Sequence, residues 1–165
     1  MNKTAEEILR DEWDLLKKST LLSTISCSAG PTRIGKGKTY DMFKWNALMT
    51  GPKNSPYNGY MFKFEINFPK DYPNNPPIVK CLTDVYHMNI NTSGDVCVSS
   101  IKDQGKWSTI KDISSVLLSI FIIFSKPNPR SPYRGEIAKL YKENYPEYEK
   151  KVKEYCAKFA IKIPE

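Results

Sequence analysis

The chain has 165 residues, a length that suits one domain with a substantial hydrophobic core, and its 12 prolines favour stiff connections over a simple helical bundle. Its composition, with 40% hydrophobic residues, does not point to disorder. The longest apolar run, residues 116–124, is too short to cross a bilayer, and no secretion signal opens the chain. We therefore expect one domain over residues 1–165, located in the cytoplasm, the nucleus or both, with no membrane partner.

The net charge of +7 raises the question of nucleic acid. Basic residues are frequent in segment 33–53, but no zinc-finger spacing, RNA-recognition signature or arginine-rich arm accompanies them. A solvated basic surface is therefore favoured over a nucleic-acid site, and it is equally compatible with an acidic protein partner. Nucleic-acid binding through this segment stays as a weaker alternative, which predicts a steep loss of affinity with salt.

Four cysteines are spread along the chain without a Cys-x-x-Cys pair, at Cys27, Cys81, Cys97 and Cys156. With a single histidine they cannot complete a usual zinc site, and no secreted context supports a disulfide framework. The pattern predicts independent free thiols and no metal. Free cysteine is among the most buried residue types, so at least three are expected in the core.

The first half of the chain predicts one helix followed by strands. Thr4 and Glu7 have the spacing of a capping box before an amphipathic stretch, which places the first helix at about residues 5–18. Extended segments follow, and residues 61–68 alternate apolar and polar side chains. The predicted strands, an antiparallel meander of four, lie at about residues 22–28, 40–50, 61–68 and 78–83.

The second half predicts a long loop and three helices. Segment 84–109 is polar and has no clear periodicity, and a loop of that length in a compact domain is usually functional. Residues 111–126 are apolar nearly all round, which predicts a buried central helix. Amphipathic helices are predicted near 133–142 and 146–160. Helix, strands, long loop and helices in this order indicate an α+β fold.

Two local patterns do not lead to a function. The stretch GKGKT at 35–39 resembles a phosphate-binding loop, but Thr32 stands where its first glycine is needed and no helix start follows. It is therefore interpreted as a basic hairpin turn. The second pattern is His87, which precedes Cys97 by ten residues. A papain-like histidine comes from a distant segment after the cysteine, so a papain-like catalytic pair is not indicated.

The stretch YHMNINTSGDVC at 86–97 resembles the active-site segment of the ubiquitin-conjugating enzymes. Their signature is His-Pro-Asn, a short glycine turn, and a catalytic cysteine eight residues after the asparagine, the spacing of Asn89 and Cys97. The resemblance covers nearly the whole chain in family order, which makes it far more specific than one motif. It is carried also by CSAGP (27–31), MFKW (42–45), GPKNSPYNG (51–59), INFPKDYPNNPP (66–77), Trp107, VLLSI (116–120), KPNPRSPY (126–133) and EIAKLYKENYPEYEKKV (136–152).

The resemblance implies that Cys97 accepts ubiquitin or a ubiquitin-like modifier as a thioester from an activating enzyme. It implies no cofactor, since the activating enzyme consumes the ATP. Asn89 would stabilise the oxyanion of the transfer step or fix the surrounding loop. Such a cysteine needs no dedicated base, because it exchanges with a reactive thioester, so His87 is expected to be structural.

The resemblance also implies two contact surfaces. Leu118 matches the position that packs against the donor modifier, although core packing on the central helix is an equal alternative. Residues of two loops, together with the first helix, match the surface shared by activating enzyme and ligases. These loop residues are Pro73, Asn74, Ser108 and Thr109.

Four departures from the family pattern are visible. Met88 replaces the proline of His-Pro-Asn, so the turn loses a fixed φ, which allows a looser or reshaped loop. Ser131, preceded by Arg130, stands where many members have an acid that orients and deprotonates the acceptor lysine. We therefore expect a bias toward thiol acceptors and cysteine-type ligases. Asn74 and Thr109 replace a large apolar residue and a proline.

The fourth departure is an acidic first helix, with Glu6, Glu7, Asp11 and Glu12, where the family is usually more basic. These changes weaken the usual docking pattern and leave two alternatives open. One is a catalytically impaired variant that scaffolds a partner, and the other is a SUMO- or Nedd8-type conjugating enzyme.

Overall fold

A computed structural model describes residues 2–97, 107 and 112–164. Within these residues the chain forms five helices, α1 Ala5–Lys18, α2 Leu21–Thr24, α3 Ile113–Ser125, α4 Gly135–Glu143 and α5 Tyr145–Phe159. The strands are β1 Cys27–Ile34, β2 Thr39–Thr50, β3 Tyr60–Asn67, β4 Ile78–Cys81 and β5 Ile161–Lys162.

Helix α1 begins at the predicted capping box. The Thr4 hydroxyl accepts a hydrogen bond from the Glu7 backbone N–H, and the Glu7 carboxylate accepts one from the Thr4 backbone N–H. Both satisfy donors that the first turn leaves unpaired. The bounds of α1 confirm the prediction, and its apolar face, with Leu9 and Leu16, is buried in the core.

The sheet confirms the predicted antiparallel meander, with strand order β1-β2-β3-β4. Phe62, Phe64 and Ile66 face the core on β3, as the alternation predicted. The short strand β5 was not predicted; it returns along β3 beside Tyr60 and Met61. A two-residue strand is too short for a period-2 pattern to reveal it.

One predicted strand began too early. The segment assigned to 22–28 starts with the short helix α2, and β1 begins only at Cys27. The backbone N–H groups of Thr24 and Ile25 donate to the carbonyls of Thr20 and Leu21, four residues earlier, which closes a helical turn here. The predicted hairpin turn at residues 35–38 does connect β1 to β2.

Helix α3 packs against the sheet and supplies much of the core, with Ile113, Val116, Leu117, Ile120, Ile123 and Phe124 buried. One face nevertheless remains exposed, so the predicted burial of this helix holds for its core face only. On this face Leu118 is 41% and Ile122 is 52% exposed. The apolar residues of α3 therefore form two faces, one buried in the core and one exposed.

The cysteines are all free. Cys81 and Cys156 are buried, but Cys27 and Cys97 are only partly so, and the expectation of three core thiols was wrong. Cys27 opens the edge strand β1 and packs against the core while only partly buried. Among the described residues no cluster of metal-binding side chains occurs. A helix long and apolar enough to cross a membrane is likewise absent from the described segments.

Candidate active site

The loop that follows β4 descends into the core at residues 87–89, which we call the floor of the site. All three residues are buried, although two of them are polar. His87 Nε2 lies 2.9 Å from the Ile123 carbonyl of α3, and its Nδ1 accepts the Asn89 backbone N–H at 3.0 Å. Its ring stacks on Tyr57 at 5.6 Å between centroids.

These contacts fix the tautomer and charge of His87. Because Nδ1 is an acceptor, the ring proton resides on Nε2, which donates it to Ile123. Burial lowers the pKa of His87 from its usual value near 6.5 to about 4, so the ring is neutral at physiological pH. Both ring nitrogens are occupied, which supports the structural role predicted for His87 over that of a general base.

Met88, the residue in place of the expected proline, is fully buried. Its carbonyl accepts hydrogen bonds from the backbone N–H groups of Tyr133 at 2.9 Å and Arg134 at 3.1 Å. The loop is therefore held to the segment before α4 by contacts that do not require a proline ring.

Asn89 links the floor to the segment after α3. Its Nδ2 donates to the Asn128 carbonyl and its Oδ1 accepts the Asn128 backbone N–H, both at 2.8 Å. Its own carbonyl accepts the Cys97 backbone N–H at 2.7 Å. The Asn89 amide is buried and paired with backbone on both sides, which favours the loop-fixing role over that of a free oxyanion donor.

A tight turn brings the chain from the floor back to the cysteine. The Asn91 Oδ1 accepts hydrogen bonds from the backbone N–H groups of Ser93 and Asp95. Gly94 has φ +90°, and a side chain there would place Cβ 2.4 Å from the Cys81 carbonyl oxygen. Both the conformation and the lack of space require glycine, which explains the glycine of this turn.

Cys97 is partly exposed at the end of this turn. Its Sγ lies 3.9 Å from the Ser131 carbonyl oxygen, across the loop that follows α3. Ser131 and the preceding Arg130 are exposed. The structure thus brings together the predicted residues Cys97, Asn89, His87, Met88 and Ser131, and no side-chain base contacts Sγ among the described residues.

The exposed face of α3 contradicts one of the two interpretations of Leu118, while contact with the donor modifier stays a prediction. At 41% exposure its side chain is not a core residue, so the core-packing alternative was wrong. Ile122, one helical turn further, extends the same apolar surface and was not predicted. Its i,i+4 spacing from Leu118 is the sequence signal that connects them.

The predicted partner surface is partly described. Pro73 is half-buried and its carbonyl accepts the Trp107 Nε1–H at 2.9 Å, whereas Asn74 is exposed. Ser108 and Thr109 lie outside the described residues.

Glu12 connects this surface to α3. Its carboxylate accepts the Tyr72 hydroxyl at 2.7 Å and the Ile113 backbone N–H at 2.8 Å. Burial raises the pKa of the Glu12 carboxyl, and the two hydrogen bonds offset part of that rise. In the sequence Glu12 is one of several acids of α1, and no local pattern reveals contacts with residues so distant along the chain.

Comparison with known proteins agrees with this geometry. The ubiquitin-conjugating enzyme family model matches residues 10–156. The crystal structure of a Plasmodium yoelii protein assigned as a ubiquitin conjugating enzyme is similar over 99% of each chain, with 29% identity and a TM-score of 0.79. The family match covers most of the chain and the similar structure extends over nearly all of it, so this protein belongs to the ubiquitin-conjugating enzyme family.

Proposed function

We propose that the protein carries ubiquitin or a ubiquitin-like modifier as a thioester on Cys97 and transfers it to a lysine or to a ligase cysteine. The observation that carries this proposal is the accessible Cys97 thiol at the end of a loop whose floor is rigidly held. The Cys97 backbone is tied to Asn89, and Sγ faces the Ser131 carbonyl at 3.9 Å.

In the loading step the Cys97 thiolate attacks the carbonyl carbon of the modifier thioester on the activating enzyme. A new C–S bond forms to Sγ, the old C–S bond breaks, and the cysteine of the activating enzyme leaves as a thiolate. One thioester replaces another of similar energy, so no base beyond ordinary thiol ionisation is needed. The ATP-dependent chemistry belongs to the activating enzyme, and we expect no metal or small cofactor here.

In the transfer step the acceptor nitrogen or sulfur attacks the same carbonyl carbon, and Cys97 Sγ leaves. A lysine must first lose its proton, and no carboxylate at position 131 attracts or deprotonates it. Exposed Arg130 repels a protonated amine as well. A thiol acceptor loses its proton more readily than a lysine and reacts as a thiolate, which Arg130 attracts, and this supports the expected preference for cysteine-type ligases.

Two surfaces fit the remaining partners. The exposed apolar pair Leu118 and Ile122 suits an apolar patch of the carried modifier. The surface of α1 with Pro73 and Asn74 is the expected docking site for activating enzyme and ligases. These partners act in the cytoplasm and nucleus, where we expect the protein to work.

The test is a charging assay with purified protein and ATP, run separately with ubiquitin, SUMO and a Nedd8-type modifier and their cognate activating enzymes. We expect a thiol-sensitive band on non-reducing gels with one of these modifiers. The band should vanish in Cys97→Ala and persist in Cys27→Ala, a matched control because Cys27 is the other partly exposed thiol. No band with any modifier would contradict the proposal and favour the scaffold alternative.

A further inference from the structure

The segment opposite Cys97, residues 126–134, is strongly basic. It contains Lys126, Arg130 and Arg134 and no acidic residue. The Arg134 side chain is only 17% exposed and pairs with Glu136 at 3.4 Å, so its charge is partly neutralised. Lys126 and Arg130 are both exposed, and neither forms an ion pair with another described residue.

The backbone holds Arg130 close to the thiol, and Lys126 begins the same segment. Arg130 directly precedes Ser131, whose carbonyl lies 3.9 Å from Cys97 Sγ, and its own N–H donates to Asn128 Oδ1 at 3.0 Å. Lys126 caps the C-terminal end of helix α3, two residues before Asn128, which is held by the Asn89 amide. We call Lys126 and Arg130 the cationic rim.

The adjoining carboxylates are already engaged. Asp95, two residues before Cys97, accepts a hydrogen bond from Asn91 Nδ2 at 3.0 Å. Glu136 pairs with Arg134. The Asn91 amide is neutral, so Asp95 keeps its charge on the Cys97 side. On the opposite segment, residues 126–134, the two charges without an ion-pair partner are both positive.

We propose that the cationic rim selects acceptor segments that carry aspartate or glutamate beside the reacting residue. The inference rests on the proposed function, since it concerns the acceptor in the transfer step. Carboxylates next to the acceptor offset the repulsion of a lysine by Arg130 and pair with otherwise unpaired cations. Each exposed pair contributes little and is screened by salt, so the selection is a rate preference that ionic strength weakens.

The test measures discharge of preformed Cys97 thioester in a single turnover. Acceptor peptides carry one lysine, or in a second set one cysteine, flanked by glutamate or by glutamine. We expect the glutamate peptide to react about three to ten times faster at low salt, the size expected for one or two exposed charge pairs. Raising the salt should reduce this ratio.

Charge reversal at the rim supplies the matched comparison. The double variant Lys126→Glu/Arg130→Glu should lose or invert the preference. Lys36→Glu makes the same kind of charge change in the β1–β2 hairpin, across the sheet from β4, and should keep the preference. The milder Arg130→Gln should lower the ratio, and thermal unfolding verifies that each variant is folded.

Equal rates for both peptides in the wild type, or a preference that persists in the double variant, would overturn the inference. Charging is measured before any acceptor is added. Absence of the thioester would therefore contradict both the proposed function and this inference. Normal charging without a peptide preference would contradict this inference alone.

Discussion

The floor of the site differs in burial and in bonding from its exposed rim, which comprises Lys126, Arg130 and Ser131. His87, Met88 and Asn89 are buried, and each makes at least two hydrogen bonds, of which at least one reaches another segment of the chain. Arg130 and Ser131 are exposed, and the positions of their side chains are not set by the core. We therefore expect substitutions in the floor to lower the stability of the fold. Substitutions at the rim should change the rate of transfer and leave stability unchanged.

The largest effect is expected for His87→Ala. The change leaves a cavity beside Tyr57 and Phe124 and removes the partners of the Ile123 carbonyl and the Asn89 N–H. Together these should lower the free energy of unfolding by about 3 kcal/mol or more, measured by urea denaturation. The exposed Thr92→Ala in the same loop should change it by less than about 0.5 kcal/mol. A loss below about 1 kcal/mol for His87→Ala would contradict a packed, bonded floor.

Acidification should weaken the floor without any substitution. The unfolded chain binds a proton at His87 near pH 6.5, but the folded protein binds it only near pH 4. The unfolded state therefore holds more protons in between, so stability from this group is present above pH 6.5 and is lost as pH falls toward 4. The expected loss between pH 7 and pH 5 is about 2 kcal/mol, measured by urea denaturation at each pH.

Two observations sharpen this pH prediction. Since His87 is the only histidine, its ring signals in an NMR titration are unambiguous, and titration near pH 6.5 in the folded protein would contradict burial. The Glu12 carboxyl has the opposite effect on stability. Because its pKa is raised, the folded protein binds a proton at Glu12 at a higher pH than the unfolded chain does, so acidification stabilises the fold through this group. Glu12→Gln should therefore increase the net loss of stability on acidification.

An intermediate effect is expected for Asn89→Ala, which also separates the two roles considered for this residue. Loss of both hydrogen bonds to Asn128 leaves partly buried backbone groups unpaired and should cost about 1–3 kcal/mol of stability. An oxyanion donor instead predicts normal stability and a discharge rate about 100- to 1,000-fold lower. Denaturation and single-turnover discharge of the same variant distinguish them. We expect the stability loss, with slower discharge following from a displaced loop.

The bounds of α1 and the alternation on β3 could be predicted because each depends on residues close together in sequence, whereas Asn89 and Cys97 were identified through the family resemblance. What could not be predicted depends on tertiary contacts. The exposure of Leu118 depends on which face of an all-apolar helix meets the sheet, and the role of Glu12 depends on distant partners. Met88 looks like a broken motif in the sequence, yet in the fold it is a core residue.

The smallest effect, and the cleanest test of the rim, is expected for Ser131→Asp. A carboxylate beside the Cys97 thioester should attract a protonated amine and assist its deprotonation, so discharge onto free lysine should rise about three- to tenfold. Discharge onto a thiol should not rise, because the reacting species is a thiolate, which a nearby negative charge repels. The free energy of unfolding should change by less than about 0.5 kcal/mol, since Ser131 is exposed.

Arg130 complicates this variant, because it can pair with the introduced carboxylate and mask it. The double variant Arg130→Gln/Ser131→Asp removes the competing cation and should show a larger rise with lysine than either single change. If neither the single nor the double variant discharges faster onto lysine, the missing acid is not what limits amine transfer. Acceptor choice would then depend on the floor residues as well as on the rim. The proposed separation, in which floor residues act on folding and rim residues act on transfer, would fail at Ser131, where it is tested most directly.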